Sequence, residues 1–157
     1  MLIIVHGKIP NYYGKGNGII HDNGGKTMQE VYEFLKKCRT YYIATIDLDK
    51  PRLRPFGTVN IFENKLYIQT GKSKDVSKQM MKNPNIAICA MSDDEWIRIE
   101  ATIVEDDRVE AKQSMLDAYP NLKSRYSATD DNNQVLYLKD AIATISSFNH
   151  DPKVIKF

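Results

Sequence analysis

Arg52 and Arg54 stand two apart in a β-rich stretch, so on a strand both side chains leave the same face. One strand and one tight turn later, Lys72-Ser73-Lys74 opens a short helical pattern. The start of a helix carries free N–H groups and the positive end of the helix dipole, which together favour an anion. Ser73 can cap that helix or donate to a phosphate oxygen. Arginine offers a two-pronged fork and lysine a point charge. A strand arginine facing a basic helix start makes a phosphate clamp. The same residues also suit a plain reading, a solvated basic turn with an ordinary N-cap.

The elements that must position this clamp are mostly strands. Tyr41 to Ile46 is rich in β-formers, and Asp47-Leu48-Asp49-Lys50-Pro51 is a turn. Arg52 to Phe62 reads as one further strand, with Pro55 confined to an edge or irregular position. Glu63-Asn64-Lys65 turns into a third, Leu66 to Thr70. The helix after Lys74 buries Val76, Met80 and Met81 and stops at Asn83-Pro84. Asn85 to Met91 and Trp96 to Val104 are strands joined by the acidic turn Ser92-Asp93-Asp94-Glu95. A helix from about Asp107 to Ala118 and a last strand near Ala141 to Phe148 complete the order. The expected class is therefore α+β, mainly β: a six-stranded antiparallel split β-barrel with flanking helices. No βαβ alternation argues for a doubly wound sheet.

Upstream, Thr27 and Glu30 form a capping-box pattern, with Val31, Phe34 and Leu35 on one helical face running to about Cys38. Residues 1–27 read as a flexible N-terminal extension that orders against a partner subunit, ahead of one domain over 28–157. They hold six of the 8 glycines (Gly7, Gly14, Gly16, Gly18, Gly24, Gly25) together with Asn11, Asn17 and Asn23, at a high cost in backbone entropy. Met28 is a second candidate start. The apolar opening Met1 to His6 is too short for a signal peptide and lacks a basic flank.

The 157 residues suit one domain with its own core. Hydrophobic residues make up 42% and charged ones 27%, a globular balance. No run of about 18 apolar residues predicts a membrane span. A net charge of +2, with acids and bases interleaved, gives no nucleic-acid footprint. Cys38 and Cys89 lie far apart in apolar stretches and read as buried free thiols, which fits a cytoplasmic protein.

Other motifs carry less. Gly14, Gly16 and Gly18 form a GxGxG that follows no strand and opens no amphipathic helix, so dinucleotide binding is not expected. His6, His21 and His150 are near the termini with no metal-ligand spacing. No nucleophile elbow is present. Trp96 and Arg98 share one strand face, as a core tryptophan beside an exposed arginine or as an aromatic wall of a ligand pocket. Tyr41, Tyr42 and Tyr67 are barrel and interface packing.

From Met28 to Phe148 the chain resembles the pyridoxamine 5′-phosphate oxidase-like family of FMN-binding split barrels. The resemblance rests on Arg52-Leu53-Arg54-Pro55-Phe56-Gly57, Leu66-Tyr67-Ile68-Gln69-Thr70, and Lys72-Ser73-Lys74 leading to Gln79. Lys82-Asn83-Pro84-Asn85-Ile86-Ala87 and Trp96-Ile97-Arg98-Ile99-Glu100-Ala101 continue it. It implies that Arg54 contacts the FMN phosphate and that the backbone of Pro55, Phe56 and Gly57 lies along the isoalloxazine ring. Thr70 is implied as the polar residue ending the third strand, with Lys72, Ser73 and Lys74 in the phosphate segment. Trp96 falls where the oxidases carry a glutamine from the facing subunit. The resemblance further implies a homodimer with FMN at the subunit interface.

Two departures narrow the activity. The chain ends Asn149 to Phe157 without the Trp- and Arg-containing substrate segment of the pyridoxamine phosphate oxidases. It is also similar to the nitroimidazole-resistance reductases, with Gln69 where they carry a strand histidine. The expected function is hydride transfer through FMN to a small-molecule acceptor of nitro or quinone type, with no catalytic side chain assigned. The alternatives are a non-enzymatic flavin-binding or stress-related protein, or a split barrel holding haem or a deazaflavin.

Overall fold

Strand pairing begins and ends with the two termini of the described chain. The computed structural model describes Ile20–His21 and residues 26–157. The glycine-rich extension otherwise lies outside the described residues, as do the GxGxG and the side chains of His6 and His21. Ile20–His21 (β1) pairs in parallel with Lys153–Lys156 (β9). Between them run α1 (Lys26–Cys38), β2 (Tyr41–Asp47), β3 (Lys50–Phe56), β4 (Asn60–Phe62), β5 (Lys65–Gly71) and α2 (Asp75–Lys82). β6 (Asn85–Ser92), β7 (Glu95–Glu105), α3 (Val109–Ala118), a 3-10 turn (Pro120–Ser124) and β8 (Asn133–Ser147) follow.

The strands form one sheet in the order β1-β9-β8-β7-β6-β2-β3, with β5 joining β8 and β4 joining β5. Every pair except β1·β9 is antiparallel, and β3 and β4 do not pair with each other, so the sheet curls without closing. This is a mainly β fold with flanking helices, consistent with a split barrel. The six strands expected from the sequence are nine among the described residues. The stretch Arg52 to Phe62 breaks at residues 57–59 into β3 and β4, because β3 pairs with β2 while β4 turns away to pair with β5. An alanine at Gly57 would bring its Cβ 3.2 Å from the Arg39 carbonyl oxygen. β8 starts at Asn133, well before the expected Ala141.

Alternation fills the interior. Ile86, Ile88 and Ala90 of β6, and Ile97, Ile99, Ala101 and Ile103 of β7, are buried while their neighbours face out. α1 lays Met28, Val31 and Leu35 onto this core. Burying such side chains is worth about 1.5–3 kcal/mol each. Where Asp140 takes φ 52, the β7–β8 register shifts, and Ala141 bonds instead to Phe157 through both backbone groups.

The helix starts differ from expectation. α1 begins at Lys26, so Thr27 lies inside it, and its buried Oγ1 has no hydrogen-bond partner among the described residues. Glu30 reaches Lys153 rather than the helix start. α3 begins at Val109 rather than Asp107, because Asp106 and Asp107 are held by Arg108, Lys72 and Lys112. Among the described residues no helix is long and apolar enough to cross a membrane.

Candidate functional site

Arg54 enters the site from edge strand β3, opposite Ile43 of β2. Thr45, two residues along β2, presents its hydroxyl on the same face, and α2 packs against β2 from that side. The three meet. Arg54 Nη1 donates to Thr45 Oγ1 at 2.6 Å, and Nη2 donates to Gln79 Oε1 at 2.7 Å. Thr45 Oγ1 donates in turn to Gln79 Oε1 at 2.6 Å. The guanidinium is half-buried and both its partners are neutral. Asp47, the acid whose field it feels, is itself engaged by Arg52 at 3.1 Å. Desolvation, and then the nearby Arg52 charge, lower the pKa of Arg54.

Arg52 and Arg54 thus share a face of β3 but not a role. The three residues opening α2 also part company. Lys72 Nζ lies 2.8 Å from Glu105 Oε1 and 3.1 Å from Asp107 Oδ1, which raise its pKa. Its backbone N–H donates to the Asn132 carbonyl at 2.8 Å. Ser73 N–H donates to Asn132 Oδ1 at 2.9 Å, and its side chain is exposed. The N-cap expected at Ser73 is Lys74, extended at φ −78 and ψ 147 with no side-chain cap. Lys74 C=O accepts from Ser77 N–H at 3.1 Å, and the lysine side chain is exposed. This turn fits tightly against the loop before β8. A Cβ on Gly71 would come within 3.0 Å of Tyr126 Oη and 3.2 Å of Asn132 Nδ2.

Thr70 is buried at the end of β5, opposite Gln134. Gln69 beside it is tied down: its Nε2 donates to the Thr70 carbonyl at 3.0 Å and to Asn133 Oδ1 at 3.3 Å. Phe56 packs inward with its ring 6.1 Å from Tyr41, while Pro55 and Gly57 are exposed.

Trp96 is not brought to Arg54 within one chain. It lies on the outer sheet face, opposite to the buried Ile97, and packs against the exposed Phe148 with ring centroids 5.1 Å apart and tilted. That outer face is largely apolar over β3, β2 and β6, and turns mixed over β7 and β8, where Arg98, Glu100 and Thr144 join it. Leu53, Ala44, Ala87, Glu100 and Ile142 stand in register across it. The small side chains of Ala44 and Ala87 leave a trough of about 490 Å³. Tyr42, Ile46, Leu53 and Met91 share this face with 47–68% of their surface exposed. Cys89, expected to be buried, is exposed here because it falls on the outward phase of β6, while Cys38 is half-buried; both are free.

Thr45 and Gln79 were not singled out as site residues by the sequence. The available signal was a threonine on the inward phase of β2, where Ile43 and Tyr41 are apolar.

Comparison with known proteins agrees with this fold. The family described as pyridoxamine 5′-phosphate oxidase matches residues 27–148. A NimC/NimA family protein from Clostridium acetobutylicum is 40% identical, with a TM-score of 0.81 over 83% of this chain and 92% of that one. General Stress Protein 26 from Bacillus anthracis shares 19% identity and a TM-score of 0.64 over 82% of this chain and 97% of its own. A haem binding protein from Mycobacterium smegmatis shares the fold at 11% identity and a TM-score of 0.65, over 83% of this chain and 57% of its own. No curated protein matches the chain. The chain belongs to the pyridoxamine 5′-phosphate oxidase-like family.

Proposed function

We propose that the protein binds FMN and works as an FMN-dependent oxidoreductase. The observation that carries this reading is Arg54, a half-buried cation held by two neutral acceptors and ion-paired with no acid among the described residues. Burying a charge without a counter-ion is costly, so an anionic ligand fits there. The FMN phosphate is such a ligand. Lys72 is already neutralised by Glu105 and Asp107, so Ser73 and Lys74 are the residues of that turn left to the phosphate. Pro55 and Phe56 continue β3 from Arg54 to Gly57, and the three would follow the ring, with Thr70 meeting the flavin from the end of β5.

A homodimer completes the site. The exposed Tyr42, Ile46, Leu53 and Met91 of the outer face suit a second copy, and Trp96 on that face would then reach the partner's flavin. The bound FMN supplies hydride transfer from a reduced donor to a small acceptor of nitro or quinone type. The chain's own part is to hold the phosphate, orient the ring and exclude water. The 40% identity to a NimC/NimA family protein supports this branch. Free Cys38 and Cys89 suit a reducing, cytoplasmic setting.

For a haem reading, the one histidine whose side chain is described, His150, has both ring nitrogens engaged, by Asp151 O and Glu95 Oε1. Absorption spectra of the purified protein, before and after FMN addition and desalting, test the proposal. Retained flavin bands support it; a colourless protein that takes up no FMN overturns it. Reduction by NADH or NADPH with a panel of acceptors then separates an enzyme from a flavin carrier.

A further inference from the structure

The triangle of Arg54, Thr45 and Gln79 fixes which way the Gln79 amide points. Thr45 Oγ1 accepts a hydrogen bond from Arg54, so its own hydrogen is free to go to Gln79 at 2.6 Å. The Gln79 atom in that corner therefore accepts from both neighbours, at 2.6 and 2.7 Å, and must be the carbonyl oxygen. Reversing the amide would set donor against donor at Arg54. Gln79 Nε2 is consequently turned out of the triangle, and no described residue accepts from it. Arg54 has used two of its N–H groups here and keeps the others uncommitted.

We propose that Gln79 is a phosphate ligand, its outward amide N–H donating beside the free edge of Arg54 to a phosphomonoester. This inference rests on the anion reading of Arg54 given above. It also explains why an amide occupies the position. A carboxylate there would hold Arg54 equally well, but it would neutralise the guanidinium and present only acceptors to the ligand.

The test uses the full chain and two ligands that differ only in the phosphate, FMN and riboflavin, titrated by flavin fluorescence. The wild type should prefer FMN. Gln79→Glu should cut FMN affinity roughly 10- to 100-fold, as expected for hydrogen bonds to a charged group, and leave riboflavin within about 2-fold. Gln79→Met, which cannot mispair with Arg54, should lower the FMN-to-riboflavin preference in the same direction. It covers the case in which the glutamate variant does not fold. A wild type with no preference for FMN removes the phosphate reading of Arg54, and the inference with it. A wild type that prefers FMN while both variants keep that preference overturns the role of Gln79 alone.

Discussion

Tyr67 Oη donates to Asp106 Oδ2 at 2.8 Å, joining the centre of β5 to the segment that leads into α3. Both side chains are buried, and Arg108 closes the group by donating from Nε and Nη2 to the same carboxylate. Hydrogen bonds from Arg108, and then from Tyr67, lower the Asp106 pKa to about 2 against the cost of burial. Because the folded value is depressed, this stabilisation is present above the ordinary carboxylate value of 3.8 and is lost as pH falls through about 2. Asp106→Asn should destabilise the protein by about 2 kcal/mol at neutral pH. Denaturant unfolding at pH 7 and near pH 2 checks this: the gap between wild type and variant should narrow in acid.

Arg54→Ala should weaken FMN binding by about 1.5–3 kcal/mol, the range for hydrogen bonds to charged groups. Riboflavin binding should change little. Calorimetric titration of both ligands gives the answer, and unchanged FMN affinity would move the phosphate elsewhere.

The outer face yields a prediction about assembly. Ala87→Arg places a long cation in the trough, where Glu100 in register across the strand pair gives it a partner within the same chain. The fold should survive, and the variant should sediment as a monomer with much reduced flavin retention. Analytical ultracentrifugation of both proteins checks it; a variant that remains dimeric would place the interface on another surface.

His150 ties the turn after β8 to the start of β7 through Glu95 Oε1 at 3.1 Å. The Asp151 carbonyl, and then Glu95, raise its pKa. A raised folded value means the contact stabilises the turn fully below the ordinary histidine value of 6.5 and fades as pH rises through the folded value. Hydrogen exchange around Asn149–Lys153, corrected for intrinsic rates, should show greater protection in mild acid. His150→Ala should remove that difference.

Turns and helix stops are legible in the sequence, helix starts less so. Glu63-Asn64 turns with φ 45 and φ 60, Asn83-Pro84 ends α2 at Lys82, and Pro55 sits on an edge strand. The alternating burial of β6 follows its apolar residues. Polar residues with distant partners are not legible in this way. Asn133 and Gln134 look like loop, yet both are buried in β8 because Ser127 O and Ser77 Oγ satisfy them. Glu30 suits a helix cap by its spacing from Thr27 but serves Lys153, far along the chain. The site divides in the same way. Arg54 and the basic turn were legible from residue type and spacing. Gln79 and Thr45 gain their meaning only from a contact across 34 positions, and the loss of Lys72 to Glu105 only from packing.

β8 is the one strand that borders β5, β7 and β9, meeting β5 through its first half and β9 through its second, on either side of the shift at Asp140. The β4–β5 branch and the β9–β1 edge therefore hang from one strand. Loosening the β5 end, where the basic turn begins, strains the same backbone that holds the C-terminal strand. The fold should come apart as a single cooperative unit, and ligand bound beside β5 should be felt as added protection at the far terminus.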